Sequence, residues 1–197
     1  YATFNHILSE DHDSKTLSVA EFLKGDEYGK RIGLGDGVKV FINETQLDLN
    51  TEVYAQYFKE QDTSFFAGRH KWAVQLPDGK KREYPFEAKP FWLTTKIPGT
   101  VGKEDLVITC NGLSKTDHVF MMLMGDFSDN SEDDLEITPD DGKFTIPASF
   151  WKKVDPIACS VWFNISTKRT IQQDEFFVGG EIEVTKVTRK HEIRVVR

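Results

Sequence analysis

The 197 residues, 39% hydrophobic and 12% aromatic, suffice for two sandwiches of ~100 residues each and are too apolar for a disordered chain. A formal net charge of −7 excludes general attraction to nucleic-acid backbones and leaves only a basic run, Lys186, Arg189, Lys190, Arg194 and Arg197, which reads as solvent-facing positions of a last strand. The longest wholly apolar stretch, near Val119–Met124, falls far short of the ~20 residues of a membrane helix, so no transmembrane segment is expected.

In chain order, Ala2–Leu8 reads as a strand with Ala2, Phe4 and Leu8 on one side. A polar patch follows at Ser9–Ser14. Leu17–Leu23 fits either a helical face (Leu17, Ala20, Leu23) or a strand (Leu17, Val19), and strand is preferred. Gly33–Gly37 is a turn leading into Val38, Val40 and Ile42; a phosphate-cradling loop would need a following helix and a Lys-Ser/Thr pair. Val53–Lys59 is strand-like. Lys71–Leu76 and Lys80–Ala88 form a hairpin around Pro77-Asp78-Gly79, where proline presets φ and glycine accepts a positive one. Trp72, Val74 and Leu76 share one side, Tyr84 and Phe86 another, and Pro85 places the return strand at a sheet edge.

A domain boundary is expected near Ala88-Lys89-Pro90, giving domains 1–88 and 89–197. Seven strands follow: Phe91–Ile97, Asp105–Asn111, His118–Gly125, Leu135–Thr138, Lys143–Pro147, Ile157–Ser166 and Gly180–Thr188, with one helical turn at Phe150–Val154. Their period of two, with one side inward, is that of half-buried antiparallel strands. Val119–Met124, apolar on both sides, suits a central strand. The fold class expected is all-β: two tandem immunoglobulin/fibronectin-like antiparallel β-sandwiches.

Chemistry-bearing groups are sparse. Cys110 and Cys159 lie on apolar sides of their strands, Cys110 late and Cys159 early. An offset of ~13 Å along the strands exceeds the ~7 Å Cα limit of a bridge. Two buried free thiols are therefore expected over a disulfide. Asp126–Asp141 holds eight carboxylates and no Lys or Arg. Asp126, Asp129, Glu132, Asp133 and Asp134 are the candidate calcium ligands, against the plainer reading of a solvated acidic loop without an EF-hand glycine. No other cofactor is expected. The five histidines (His6, His12, His70, His118, His191) are scattered, and Glu10-Asp11-His12-Asp13 has no second His or Cys at ligand spacing. No nucleophile elbow or triad spacing occurs, so no enzyme is expected. Of the four tryptophans (Trp72, Trp92, Trp151, Trp162), Trp72 reads as core and Trp151 sits in a connection. Trp162 falls opposite Cys159, Val161 and Phe163, either exposed or covered by the other domain. A sugar-stacking platform needs several on one surface, which the sequence does not show. Asn43-Glu44-Thr45 and Asn164-Ile165-Ser166 match glycosylation sequons, which matter only in a eukaryotic secretory protein.

The segments Gly-Asp-Gly-Val-Lys-Val-Phe-Ile-Asn (35–43), Phe-Ala-Gly-Arg-His-Lys-Trp-Ala-Val-Gln-Leu-Pro-Asp-Gly (66–79), Glu-Asp-Leu-Val-Ile-Thr-Cys-Asn-Gly (104–112) and Asp-Gly-Lys-Phe-Thr-Ile-Pro-Ala-Ser (141–149) carry a resemblance. The chain resembles bacterial cell-envelope proteins, many of them lipoproteins, built from two immunoglobulin-like sandwiches with no assigned activity. The resemblance spans roughly residues 33–187; it departs at Cys110, where an aromatic is expected, and over the first 30 residues. It brings no catalytic residues. It implies an exported structural or binding protein, extracellular or at the envelope, with an unknown protein or glycan partner at the cell surface. A lipid anchor upstream of Tyr1 is part of that expectation, because a chain opening without Met reads as a trimmed or mature form. A carbohydrate-binding module using exposed tryptophans is the alternative. Asp126–Asp134 and Lys168–Glu175 are the loops expected at opposite ends of the second sandwich.

Overall fold

The computed structural model describes residues 1–10, 14–50 and 55–197, with strands throughout and helix only in short turns. The first strands are β1 (Ala2–Ser9), β2 (Lys15–Phe22), β3 (Lys39–Ile42), β4 (Thr45–Gln46), β5 (Asp48–Asn50), β6 (Gln56–Asp62), β7 (Gly68–Gln75) and β8 (Lys81–Ala88). They continue with β9 (Trp92–Leu93), β10 (Thr100–Val101), β11 (Leu106–Asn111), β12 (His118–Met124), β13 (Asp134–Ile137), β14 (Lys143–Ile146), β15 (Ala158–Ile171), β16 (Gly180–Val187) and β17 (His191–Val195). A 3-10 turn covers Thr63–Phe65, and α1 covers Ala148–Trp151.

The chain divides into two compact units. The first comprises the described residues within Tyr1–Leu8, Ser14–Lys89 and Lys168–Thr185; the second takes Ser9 and Glu10, Pro90–Thr167 and Lys186–Arg197. The break after Lys89 lies beside the expected boundary at 88/89, but residues 168–185 group with the first unit instead of remaining in an 89–197 domain. The physical reason is length: β15 runs 14 residues, against the ten expected at Ile157–Ser166, and only its first part belongs to the second unit.

In the first unit one sheet runs β16–β1–β2–β6–β5, with β15 beyond β16, and the other runs β4–β3–β7–β8. β1 and β2 pair antiparallel from Ala2↔Phe22 to Leu8↔Thr16. The inward residues of β1 are Ala2, Phe4 and His6, with Leu8 only half-buried. The core joins Phe4, Phe22, Ile42, Trp72, Tyr84 and Phe86 from both sheets to Ile171, Ile182 and Val184. The β7–β8 hairpin forms as expected, with Gly79 at φ +89° and the Lys80 amide donating to Asp78 Oδ1 at 2.9 Å. Pro85 lies on β8, the last strand of its sheet. Of the expected strand Val53–Lys59, residues 53–54 lie outside the described residues.

In the second unit β14–β11–β9 form one sheet, while β12 pairs with β13 and β15, and β15 with β17. β10 runs parallel to β17, so the otherwise antiparallel pairing has one exception here. This division, β11 between β9 and β14 and β15 between β12 and β17, is that of an immunoglobulin-like sandwich. The expected strand Phe91–Ile97 is paired only at Trp92–Leu93, because Phe91 and Ile97 both turn into the core. Trp151, placed in a connection from sequence, is 1% exposed: α1 tucks it against the core, with the Ala148 amide held by Asp105 Oδ1 at 2.7 Å. Lys186, expected to face solvent, is buried; its ammonium donates to the Phe91 carbonyl and pairs with Glu10 at 2.6 Å.

Candidate functional site

Two surfaces group exposed or half-exposed polar and aromatic side chains. The first is the outer face of the β14–β11–β9 sheet. Alternation along β11 buries Ile108 and Cys110 and exposes Val107, Thr109 and Asn111. Register sets Asn111 opposite Trp92, Thr109 opposite Lys143 and Val107 opposite Thr145, so these residues share one face. Trp92 is 47% exposed there and Val107 49%. In a chain with 29% charged residues, Lys143 is the one charged residue among these six, and its ammonium pairs with Asp140 at 3.4 Å. An exposed indole among hydroxyls and an amide offers a stacking ring with neutral hydrogen-bonding groups beside it.

The second surface is a cleft of about 290 Å³ in the first unit, between β8 and residues 169–174. Asp174 organises it. Its Oδ2 accepts from the Tyr84 hydroxyl at 2.9 Å and faces Arg82 Nε at 3.3 Å, while Oδ1 accepts the Phe176 and Phe177 amides at 2.7 and 2.9 Å. Burial alone would push this carboxyl up, but the two amides, the phenol and the guanidinium hold it below its ordinary value. Tyr84 is pushed up, by burial first and by Asp174 second, so the phenol remains a donor. Arg169 donates through Nη1 to the Pro85 carbonyl.

A third cluster is closed. The Nε2 atoms of His6 and His70 each lie 3.0 Å from the Phe66 carbonyl oxygen, which fixes the Nε2–H tautomer of both rings. His6 Nδ1 then accepts from the Ser18 hydroxyl at 3.1 Å, and Asn43 donates to His70 Nδ1 at 3.3 Å. A serine–histidine pair is the beginning of nucleophilic chemistry, but His6 and Ser18 are both 0% exposed, so no substrate reaches them. In the sequence these histidines are scattered; sixty-four positions separate two whose ring centroids the sandwich brings 4.8 Å apart, tilted by 46°.

The acidic segment does not converge. Asp126, Asp129, Glu132, Asp133 and Asp134 are all exposed, and Glu132 is turned to Lys153 Nζ at 2.8 Å. Farther along, Asp140 pairs with Lys115 and Lys143, both at 3.4 Å. Among the described residues no group of three or more His, Cys, Asp or Glu side chains is placed to hold a metal ion. Asp11–Asp13 lie outside the described residues. Cys110, on β11, and Cys159, on β15, are free, buried and on different sheets. Burial pushes the Cys110 thiol up to about 11 and Cys159 up as well. Trp72 is core, and half-buried Trp162 lies under the Lys190 ammonium, 5.3 Å from its ring centroid. A larger hollow, about 550 Å³, lies in the second unit beside Lys103 and Glu104, exposed residues of opposite sign.

No family model matches the sequence, and no curated protein matches it. Among solved structures the chain is similar to DIP-gamma IG1+IG2, with 10% identity over 96% of each chain and a TM-score of 0.27. It is similar to murine CEACAM1b at 9% identity over the whole of both chains, with a TM-score of 0.26. The Bacteroides ovatus mixed-linkage glucan utilization locus SGBP-B, solved in complex with a mixed-linkage heptasaccharide, aligns with 91% of this chain and 43% of its own at 10% identity and a TM-score of 0.22. Likeness at this level transfers no ligand or partner. No helix among the described residues is long and apolar enough to cross a membrane.

Proposed function

We propose that this chain is a non-catalytic recognition or structural protein, exported and displayed at a bacterial cell envelope. The observation that carries the reading is the open β14–β11–β9 face, where a half-exposed tryptophan stands among uncharged polar groups on a rigid sheet. Leaving a large ring in water forgoes ~1.5–3 kcal/mol of burial, which a ligand covering that face recovers. Protease treatment of intact cells tests the location. Cleavage or labelling of the protein before lysis supports it; protection in intact cells together with recovery in the soluble cytoplasm refutes it.

A carbohydrate ligand is the reading that Trp92 favours. Asn111, Thr109 and Thr145 beside an indole match a neutral sugar, whose C–H face stacks and whose hydroxyls pair with amides and hydroxyls. A Trp92→Ala variant retained on insoluble polysaccharide as well as wild type would refute this.

A further inference from the structure

We infer that the cleft between β8 and residues 169–174 is a separate subsite for a carboxylated sugar residue, built on the guanidinium groups of Arg82 and Arg169. The inference rests on the reading of the chain as a recognition protein and adds a second ligand class to it.

Both guanidiniums are anchored by one nitrogen and keep the rest of the fork. Arg82 faces Asp174 through Nε, and Arg169 meets the Pro85 carbonyl through Nη1. Among the described residues neither has another partner, so each keeps N–H groups for a planar carboxylate. The acids of the cleft do not compete. Asp174 already accepts from Tyr84, Phe176 and Phe177, and Glu83 is turned to Lys71 at 2.8 Å. On a chain of net charge −7, two anchored guanidiniums with unused donors form a local exception.

The rest of the lining selects the type of anion. Gln172, Gln173 and Thr170 supply amides and a hydroxyl, while Pro85, Ile171 and Ile182 supply apolar surface. A volume of about 290 Å³ fits one ring, at the small end of ligand pockets, which run ~300–1,000 Å³. An acidic peptide would be expected to add as a strand along the edge of β8. That route is blocked at Pro85, which has no N–H and whose carbonyl is already taken by Arg169. A uronate, with hydroxyls around the ring and one carboxylate, meets each of these groups.

Calorimetric titration of the whole chain with a short oligogalacturonate, its fully methyl-esterified form and an oligoglutamate of equal charge tests the inference. Wild type is expected to bind the free acid and not the ester. Arg169→Gln should weaken binding about tenfold or more, as loss of a charge-assisted pair does, with Arg169→Lys intermediate. Circular dichroism confirms that each variant is folded, and Arg82→Gln provides an independent second variant. Equal binding of the ester, equal or tighter binding of oligoglutamate, full affinity in Arg169→Gln, or no binding by wild type each overturns the subsite. If wild type retains neutral polysaccharide through Trp92 while ignoring the uronate, the subsite fails and the recognition reading stands.

Discussion

His6 and His70 share one acceptor: the Nε2 of each ring lies 3.0 Å from the Phe66 carbonyl oxygen, with ring centroids 4.8 Å apart. Both rings must be neutral at their Nδ1 atoms to accept from Ser18 and Asn43. Burial, against the opposing pull of the Phe66 carbonyl, lowers His6 to about 4, and burial lowers His70 as well.

A histidine with a depressed folded pKa binds fewer protons folded than unfolded between its two values, so stability rises with pH across that window. The first unit is therefore at full strength above about pH 6.5, the unfolded value, and loses stability as pH falls from there toward 4. The shift at His6 corresponds to about 3 kcal/mol. Urea unfolding at a series of pH values, followed through Trp72, the first unit's tryptophan, should show this slope, and His6→Gln should flatten it. An unchanged slope in the variant would contradict the assignment.

A fragment ending at Ala88 should not fold. It lacks Ile171, Ile182 and Val184, which lie in the first unit's core, and it lacks β16, which neighbours β1. Each such side chain contributes ~1.5–3 kcal/mol when buried, and the three together rival the ~5–15 kcal/mol of a whole domain. A dispersed amide spectrum from residues 1–88 alone would contradict the division into units.

The close approach of β16 to β1 gives a single-residue test. A Cβ at Gly180 would stand 2.3 Å from the Ala2 carbonyl oxygen, so Gly180→Ala must push the strands apart. We expect a loss of ~1–3 kcal/mol in the first unit, as for overpacking elsewhere. Thermal unfolding indistinguishable from wild type would contradict that geometry.

What was legible in the sequence is what depends on near neighbours. Pro77-Asp78-Gly79 announces its hairpin because turn chemistry acts over four residues, and Ile108 and Cys110 announce their inward side because the pleat repeats every two. The His6–His70 contact and the burial of Lys186 against Glu10 were hidden because each joins residues far apart in the chain, and lysine ordinarily signals surface. Trp92 was visible only as one of four tryptophans; its exposure follows from the turn of Phe91 into the core beside it.

Removing one member of the Lys186–Glu10 pair, buried at one end and exposed at the other, reveals its asymmetry. Lys186 is 7% exposed at its side chain and Glu10 37%, so Glu10→Gln strands a buried ammonium while Lys186→Met leaves a carboxylate that water reaches. Glu10→Gln should cost ~1–3 kcal/mol and Lys186→Met less. Chemical denaturation of both variants checks the order, and the reverse order would contradict it.

Thiol reactivity is a direct readout of the second unit's core. Cys110 and Cys159 are buried and free, so a thiol reagent should find none in the native protein and two after denaturation without reductant. Finding none after denaturation would establish a bridge instead.

Fluorine spectroscopy of the protein with all four tryptophans as 5-fluorotryptophan, titrated with soluble neutral polysaccharide fragments, tests the recognition surface most directly. The account predicts that the Trp92 signal, identified by its loss in Trp92→Phe, moves with saturation while those of the buried Trp72 and Trp151 stay in place. A titration in which no signal moves, or in which Trp92 is the one left unmoved, would contradict it.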